Sequence, residues 1–170
     1  GKLQLGERFL PIRPMIGTIG TAPDLESLAS GRPGSHGGNM DCPEIIRGST
    51  LYLPVFQPGA LVFMGDVHAL QGDGEFCGTC AEVRAEVVAR FEILPNVRLT
   101  QPRLEHEEAM MSIASARTFE EAAHNSFHDL LIWLEQRYSM NKREAYMLLT
   151  LVGELRVCQV VNSLITLRCR

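Results

Sequence analysis

With 170 residues, 45% of them hydrophobic and 21% charged, the chain is the size of one domain around one sizeable core. Its formal charge of −4 is spread along the chain rather than gathered into a basic stripe, which argues against a surface for nucleic acid or anionic lipid and favours a small neutral or weakly polar substrate. No apolar run approaches the roughly 20 residues that span a bilayer, and the opening GKLQLGERFL lacks the apolar stretch of a secretory signal, so no membrane partner and a cytoplasmic location are expected.

Residues 11–90 are rich in Gly and Pro and hold β-favouring runs at 51–56, 60–64 and 83–91, separated by turn signals such as Gln57-Pro58-Gly59. Between Val83 and Glu92 apolar and polar residues alternate, which predicts a strand with one buried face. A hairpin near Leu94-Pro95-Asn96 would return residues 96–103 beside it. From Thr118 the period becomes helical: Phe119, Ala122, Ala123, Phe127, Leu130, Leu131 and Leu134 share a face, and Thr118 with Glu121 forms a capping box, predicting a helix over 119–137. Asn141 and Glu144 repeat the cap, Ala145, Leu148, Leu149 and Val152 give a second stripe, and Gly153 is placed to end it. The alternation over 155–161 returns the chain to the sheet.

Side chains of catalytic type concentrate in two glycine-rich, acidic segments, 34–41 (GSHGGNMD) and 65–75 (GDVHALQGDGE). Glycines at this density let the backbone take positive φ and approach a ligand closely, while Asp, His, Gln and Glu supply donors, acceptors and metal ligands. In an extended segment Asp66 and His68 point to the same side, so a carboxylate and an imidazole can reach one cation, and Asp41 or Glu75 could complete the set. Gly-Asp-Gly alone is more often a tight turn.

Other chemistries find less support. The acidic Asp73-Gly74-Glu75 does not extend to the EF-hand ligand pattern. His124 and His128 lie one helical turn apart but lack the Glu of HExxH and read as a helix flank. Neither GxGxxG nor GxxxxGK[ST] occurs between a strand and a helix, and GxSxG is absent. The five cysteines include one CxxC, Cys77 and Cys80, with no second pair to complete a zinc ribbon, so both read as dispensable thiols.

Several stretches together resemble the acetamidase/formamidase family. They are Pro14-Met15-Ile16-Gly17-Thr18-Ile19-Gly20-Thr21-Ala22-Pro23, Gly37-Gly38-Asn39-Met40-Asp41, Gly48-Ser49-Thr50-Leu51-Tyr52-Leu53-Pro54-Val55, Gly65-Asp66-Val67-His68-Ala69, Gln71-Gly72-Asp73-Gly74-Glu75 and residues 155–162. The resemblance covers nearly the whole chain. It implies a mainly β fold with α, a swiss-roll or barrel-like core plus about two C-terminal helices. It also implies hydrolysis of small amides such as formamide or acetamide to carboxylate and ammonia, and a divalent metal, zinc before calcium. On this reading Asp41, Asp66 and His68 hold the metal, Glu75 and Asp73 are catalytic, and Asn39 and Gln71 bind the substrate. Residues 1–170 would form one domain lacking the family's N-terminal β-rich region, in a homo-oligomer (a dimer, by the family's habit) or with a separate chain supplying that region. The alternative is a non-catalytic β-barrel binding module or a partner subunit of a split amidase.

Overall fold

The computed structural model describes residues 1–107 and 109–170. In chain order they form β1 (Lys2–Leu5), β2 (Arg8–Pro11), β3 (Met15–Gly20), β4 (Gly37–Asn39), β5 (Thr50–Tyr52), β6 (Phe63–His68), β7 (Arg103–His106), β8 (Ala109–Ala116), α1 (Phe119–Tyr138), α2 (Lys142–Val152), β9 (Leu155–Gln159) and β10 (Ile165–Cys169). The fold is mainly β with two helices, as expected. The strands build three open antiparallel sheets, β1-β2, β4-β3-β6 and β5-β7-β8-β10-β9, and among the described residues no barrel closes.

Alternation along the five-stranded sheet sorts its residues into two cores. One face carries Leu104, Met111 and Ile113, which pack with Met40, Cys42, Ile45 and Cys158 and with Ile16 and Ile19 of β3, so the three-stranded sheet covers this side. The opposite face presents Ala116, Leu167 and Cys169 to the stripe of α1, where Leu130, Leu131, Trp133 and Leu134 also meet Ala145 and Leu149 of α2. A buried ion pair fixes α1 in place. Arg103 donates to Asp129 through Nε (2.8 Å) and Nη2 (3.0 Å), Ser112 Oγ donates to the same carboxylate at 2.8 Å, and the guanidinium lies over Trp133.

The helix ends follow their local signals. Thr118 Oγ1 accepts from Glu121 N at 3.1 Å, one half of the expected box, whereas Asn141 and Glu144 form both halves. Gly153 ends α2 with an ordinary negative φ; what requires glycine is close approach, since a Cβ there would lie 2.4 Å from Leu149 O. Among the described residues no helix is long and apolar enough to cross a membrane.

The β-rich half departs from its pattern in three places. The run 51–56 is a strand only as far as Tyr52, ahead of Pro54, which has no N–H for a ladder. Ala60 and Leu61, expected within a strand, take φ of 56° and 52° in a turn, and β6 starts two residues later. The strand at 83–91 and its hairpin do not form. Val83 N donates to Val67 O at the edge of β6, and the chain then continues to Leu94 without turn, bend or strand partner, its side chains exposed. The expected buried face is absent as well, because among the described residues nothing pairs with or covers this segment.

Candidate active site

β3 lies between β4 and β6, and this three-stranded sheet gathers the two glycine-rich segments. Thr18 is opposite Asn39 on one side and Gly65 on the other, and Met15 is opposite His68. Gly17 makes the site possible. A Cβ there would stand 2.7 Å from both Asp41 Oδ1 and Asp66 Oδ2 and 2.8 Å from Asp66 O, so its absence leaves room for two carboxylates. Asp41, Asp66 and Glu75 all hold positive φ (49°, 57° and 47°). That conformation is uncommon outside glycine and costs on the order of 1–3 kcal/mol, and backbone strain of this kind clusters at functional sites.

His68 is buried, 1% exposed, and its surroundings set its tautomer. Gln71 Nε2 donates to two carbonyls, Asp41 O at 2.7 Å and Cys158 O at 3.2 Å, which fixes the amide so that Oε1 faces His68 Nδ1 at 2.9 Å. Nδ1 therefore carries the proton. Nε2 points at Asp66 Oδ1 and Glu82 Oε1, each 3.2 Å away. Burial alone would lower the imidazole pKa, but the bond to Gln71 and the charges of Asp66 and Glu82 outweigh it and raise the pKa above the ordinary value.

Asp41 is equally buried. Asn162 Nδ2 donates to its Oδ2 at 3.0 Å, while among the described residues Oδ1 has no hydrogen-bond partner. Burial, then the neighbouring Glu75, then Asp66 push its carboxyl up to about 8, against a downward pull from His68. Asn162 is presented by a turn tied to buried Gln159, whose Oε1 accepts from the backbone N–H of Val161 and Asn162. Glu75 is buried on a loop pinned to the end of β9 by Gly74 N to Cys158 O and Val160 N to Gly74 O, both 3.1 Å.

The structure brings together Asp41, Asp66 and His68, with ligand atoms within 4.8 Å of one another, and a second overlapping group of His68, Glu75 and Cys80. Cys77 faces solvent, but Cys80 turns in beside Glu75, and burial followed by that carboxylate pushes its thiol to about 12. A buried, unpartnered carboxylate oxygen, a cradle that a Cβ would fill and an imidazole–carboxylate donor set all fit a divalent cation. Asn39 joins through Thr18, whose hydroxyl donates to Asn39 Oδ1 at 2.5 Å and lies 3.1 Å from Asp66 Oδ2. Gln71 has all three of its contacts to protein groups. Asp73 belongs to neither acidic group; it accepts from buried Arg168 Nη2 at 2.7 Å, alongside Glu44. Two open clefts, of about 510 and 520 Å³, lie elsewhere, lined by residues such as Asp24 and Phe63 or Arg13 and Arg156.

Sequence comparison gives this arrangement a family. The pattern described as Acetamidase/Formamidase family matches residues 27–163, a span that holds every acidic residue of the cluster. The chain belongs to the acetamidase/formamidase family. It resembles the acetamidase of Mycolicibacterium smegmatis, 50% identical over 48 residues that cover 27% of this chain and 12% of the relative. A solved structure of a predicted acetamidase/formamidase from Thermoanaerobacter tengcongensis superposes with a TM-score of 0.93 at 36% identity, covering 98% of this chain and 56% of that one. The acetamidase of Yersinia enterocolitica does so with 0.89 at 39%, covering 97% and 50%. The chain thus spans about half the length of these solved family members.

Five participants carried no site role in the sequence reading: Gly17, Thr18, Cys80, Glu82 and Asn162. Gly17, Thr18 and Asn162 lie in stretches that carry the family resemblance, which was their one signal. Glu82 is placed by the chain's return along β6, whereas Cys80 had a signal in its CxxC, set aside there for want of a second pair.

Proposed function

We propose that this chain carries the reaction centre of a metal-dependent hydrolase of small aliphatic amides, of the formamide and acetamide kind, releasing a carboxylate and ammonia. The observation that carries this reading is the convergence of Asp41, Asp66 and His68 on the space left by Gly17, with Asp41 Oδ1 buried and unpartnered. In this assignment Asp41 and Asp66 hold the cation through carboxylate oxygens and His68 through Nε2, its other nitrogen already committed to Gln71. The imidazole in the donor set favours zinc over calcium, which prefers oxygen alone. When bound, a divalent cation supplies Lewis acidity toward the amide carbonyl and the attacking water.

The chain's own groups do the rest. The Thr18 bond turns the Asn39 amide so that its Nδ2 is left to donate to a substrate carbonyl oxygen. Glu75 takes a proton from water as its oxygen attacks the carbonyl carbon, and returns that proton to the nitrogen as the C–N bond breaks. Gln71 positions His68, and Asp73 anchors its loop through Arg168. Asp41, His68 and Glu75 are buried, whereas Asp66 and Glu82 are the exposed members, so access runs past those two side chains and suits a small substrate.

The test is ammonia release from formamide and acetamide with zinc, with calcium and after chelation. Release is expected to need the cation, to fall about 10²–10⁴-fold in Glu75→Gln, and to stay within a few-fold in Asp73→Asn. Release unaffected by chelation overturns the metal, and tight amide binding without turnover in any metal supports the binding-module alternative instead.

A further inference from the structure

Beside the oxygen-rich set of Asp41, Asp66 and His68, the same pocket holds a second set of a different chemical kind. His68, Glu75 and Cys80 offer nitrogen, oxygen and sulfur, with ligand atoms within 4.8 Å of one another. Backbone bonds build this set. Gly78, at a φ of 77°, donates its N–H to Glu75 O at 2.9 Å and turns the chain back after Glu75. The return is tied to the end of β6, with Ala69 N donating to Ala81 O at 2.7 Å and Glu82 lying opposite His68. Cys80 is thereby brought beside Glu75, while Cys77 stays exposed on the turn, its thiol donating to Thr79 O at 3.2 Å.

Glu75 supplies an independent observation that points to a cation. It is 8% exposed, and among the described residues no Lys or Arg pairs with it. Its side-chain neighbours are the Asp41 carboxyl and the Cys80 thiol, each of which adds negative charge on losing a proton. Arg168, buried nearby, is taken by Glu44 and Asp73 instead. A buried carboxylate without a counter-ion is costly, and a cation bound to its oxygen relieves that cost.

Sulfur decides which cation suits the set. Thiolate and imidazole favour zinc-like, thiophilic ions, whereas calcium and magnesium keep to oxygen. Three protein donors leave the fourth tetrahedral position open. His68 belongs to both sets, and with Nδ1 committed to Gln71 it has one free nitrogen, so an ion at one position excludes an ion at the other.

We infer that His68, Glu75 and Cys80 form a second, thiophilic cation position, alternative to the one at Asp41, Asp66 and His68, with Cys80 as its selecting ligand. Cys80 is then not the spare thiol that an isolated CxxC implies. On binding, the thiol proton passes to solvent and the sulfur bonds the ion as thiolate. An ion held there engages Glu75 and blocks the proton transfer assigned to that carboxylate. This consequence rests on the amide-hydrolase reading, whereas the position itself does not.

Cadmium is the probe, because its bond to thiolate gives an ultraviolet charge-transfer band. Added to the metal-free intact chain, it is expected to raise that band until one ion is bound per chain. The band is expected to survive Cys77→Ser and also Asp66→Asn, which removes a ligand of the other set alone. In Cys80→Ser it is expected to vanish, and cadmium affinity to fall by more than about tenfold, the least that loss of a supporting group costs. X-ray absorption at the cadmium edge of the unaltered chain needs no variant and is expected to show a single sulfur among nitrogen and oxygen ligands. No band, a band that persists in Cys80→Ser, or one lost in Asp66→Asn overturns the inference. A Cys80-dependent band without amide turnover in any metal supports the position and fails only the hydrolase reading; turnover with zinc beside a sulfur-free cadmium shell does the opposite.

Discussion

A carboxyl buried among other carboxylates keeps its proton. Asp41 does so up to about 8, first through burial and then through Glu75 and Asp66. In an unfolded chain an aspartate titrates at about 3.9. Between about 4 and about 8 the folded, metal-free protein therefore holds more protons at this residue than the unfolded chain does, and its stability falls as pH rises through that window. His68 adds the same sign: its folded pKa is raised, so the stability it confers is full at low pH and is lost as pH climbs through the raised value. The expected outcome is a steeper decline in urea midpoint with rising pH for the metal-free protein than for its Asp41→Asn variant. An identical pH dependence in the two would remove Asp41 as the responsible group. Cation binding displaces the same protons, so metal affinity is expected to climb over the same window.

At the level of elements, the clasp between α1 and the sheet rests on Asp129, which accepts from Arg103, Ser112 and Thr100. Asp129→Ala leaves the Arg103 guanidinium buried without its counter-ion, and a loss of about 3–5 kcal/mol in denaturant unfolding is expected. Replacing both partners, Arg103→Met with Asp129→Leu, is expected to recover most of it, because the penalty belongs to the orphaned charge. Which elements could be read from the sequence follows a similar division between local and distant causes. α1 and α2 were legible because caps and apolar stripes lie within a few residues of one another. β8 was not: Ala-Met-Met-Ser-Ile-Ala-Ser-Ala has one β-branched residue, and its strand state is imposed by β7 and β10 on either side. The site divides likewise. Gly-rich spacing brought Asp41, Asp66, His68 and Glu75 into view, yet Asn162 reaches Asp41 across 121 positions and Gln71 reaches Cys158 across 87, contacts no local pattern encodes. Asp73 and Glu75 look equivalent in sequence, and only the turn at Gly74 sends one to Arg168 and the other to the cluster.

Taken as one molecule, the chain holds its cation site between parts remote in sequence: β3, the segment after β4, β6, the Gly72–Glu75 loop and the turn after β9. A ligand bound to all of them has no counterpart in the unfolded chain, so its binding free energy adds to the stability of the fold. At metal a hundredfold above Kd the gain is about 2.7 kcal/mol. For a chain of this length each kcal/mol moves Tm by about 2–4 °C, so zinc is expected to raise Tm by about 5–11 °C and a chelator to reverse it. His68→Ala is expected to abolish this metal dependence, since it removes one of the three converging groups. A Tm indifferent to zinc in the unaltered chain would mean that the carboxylates around Gly17 do not bind it.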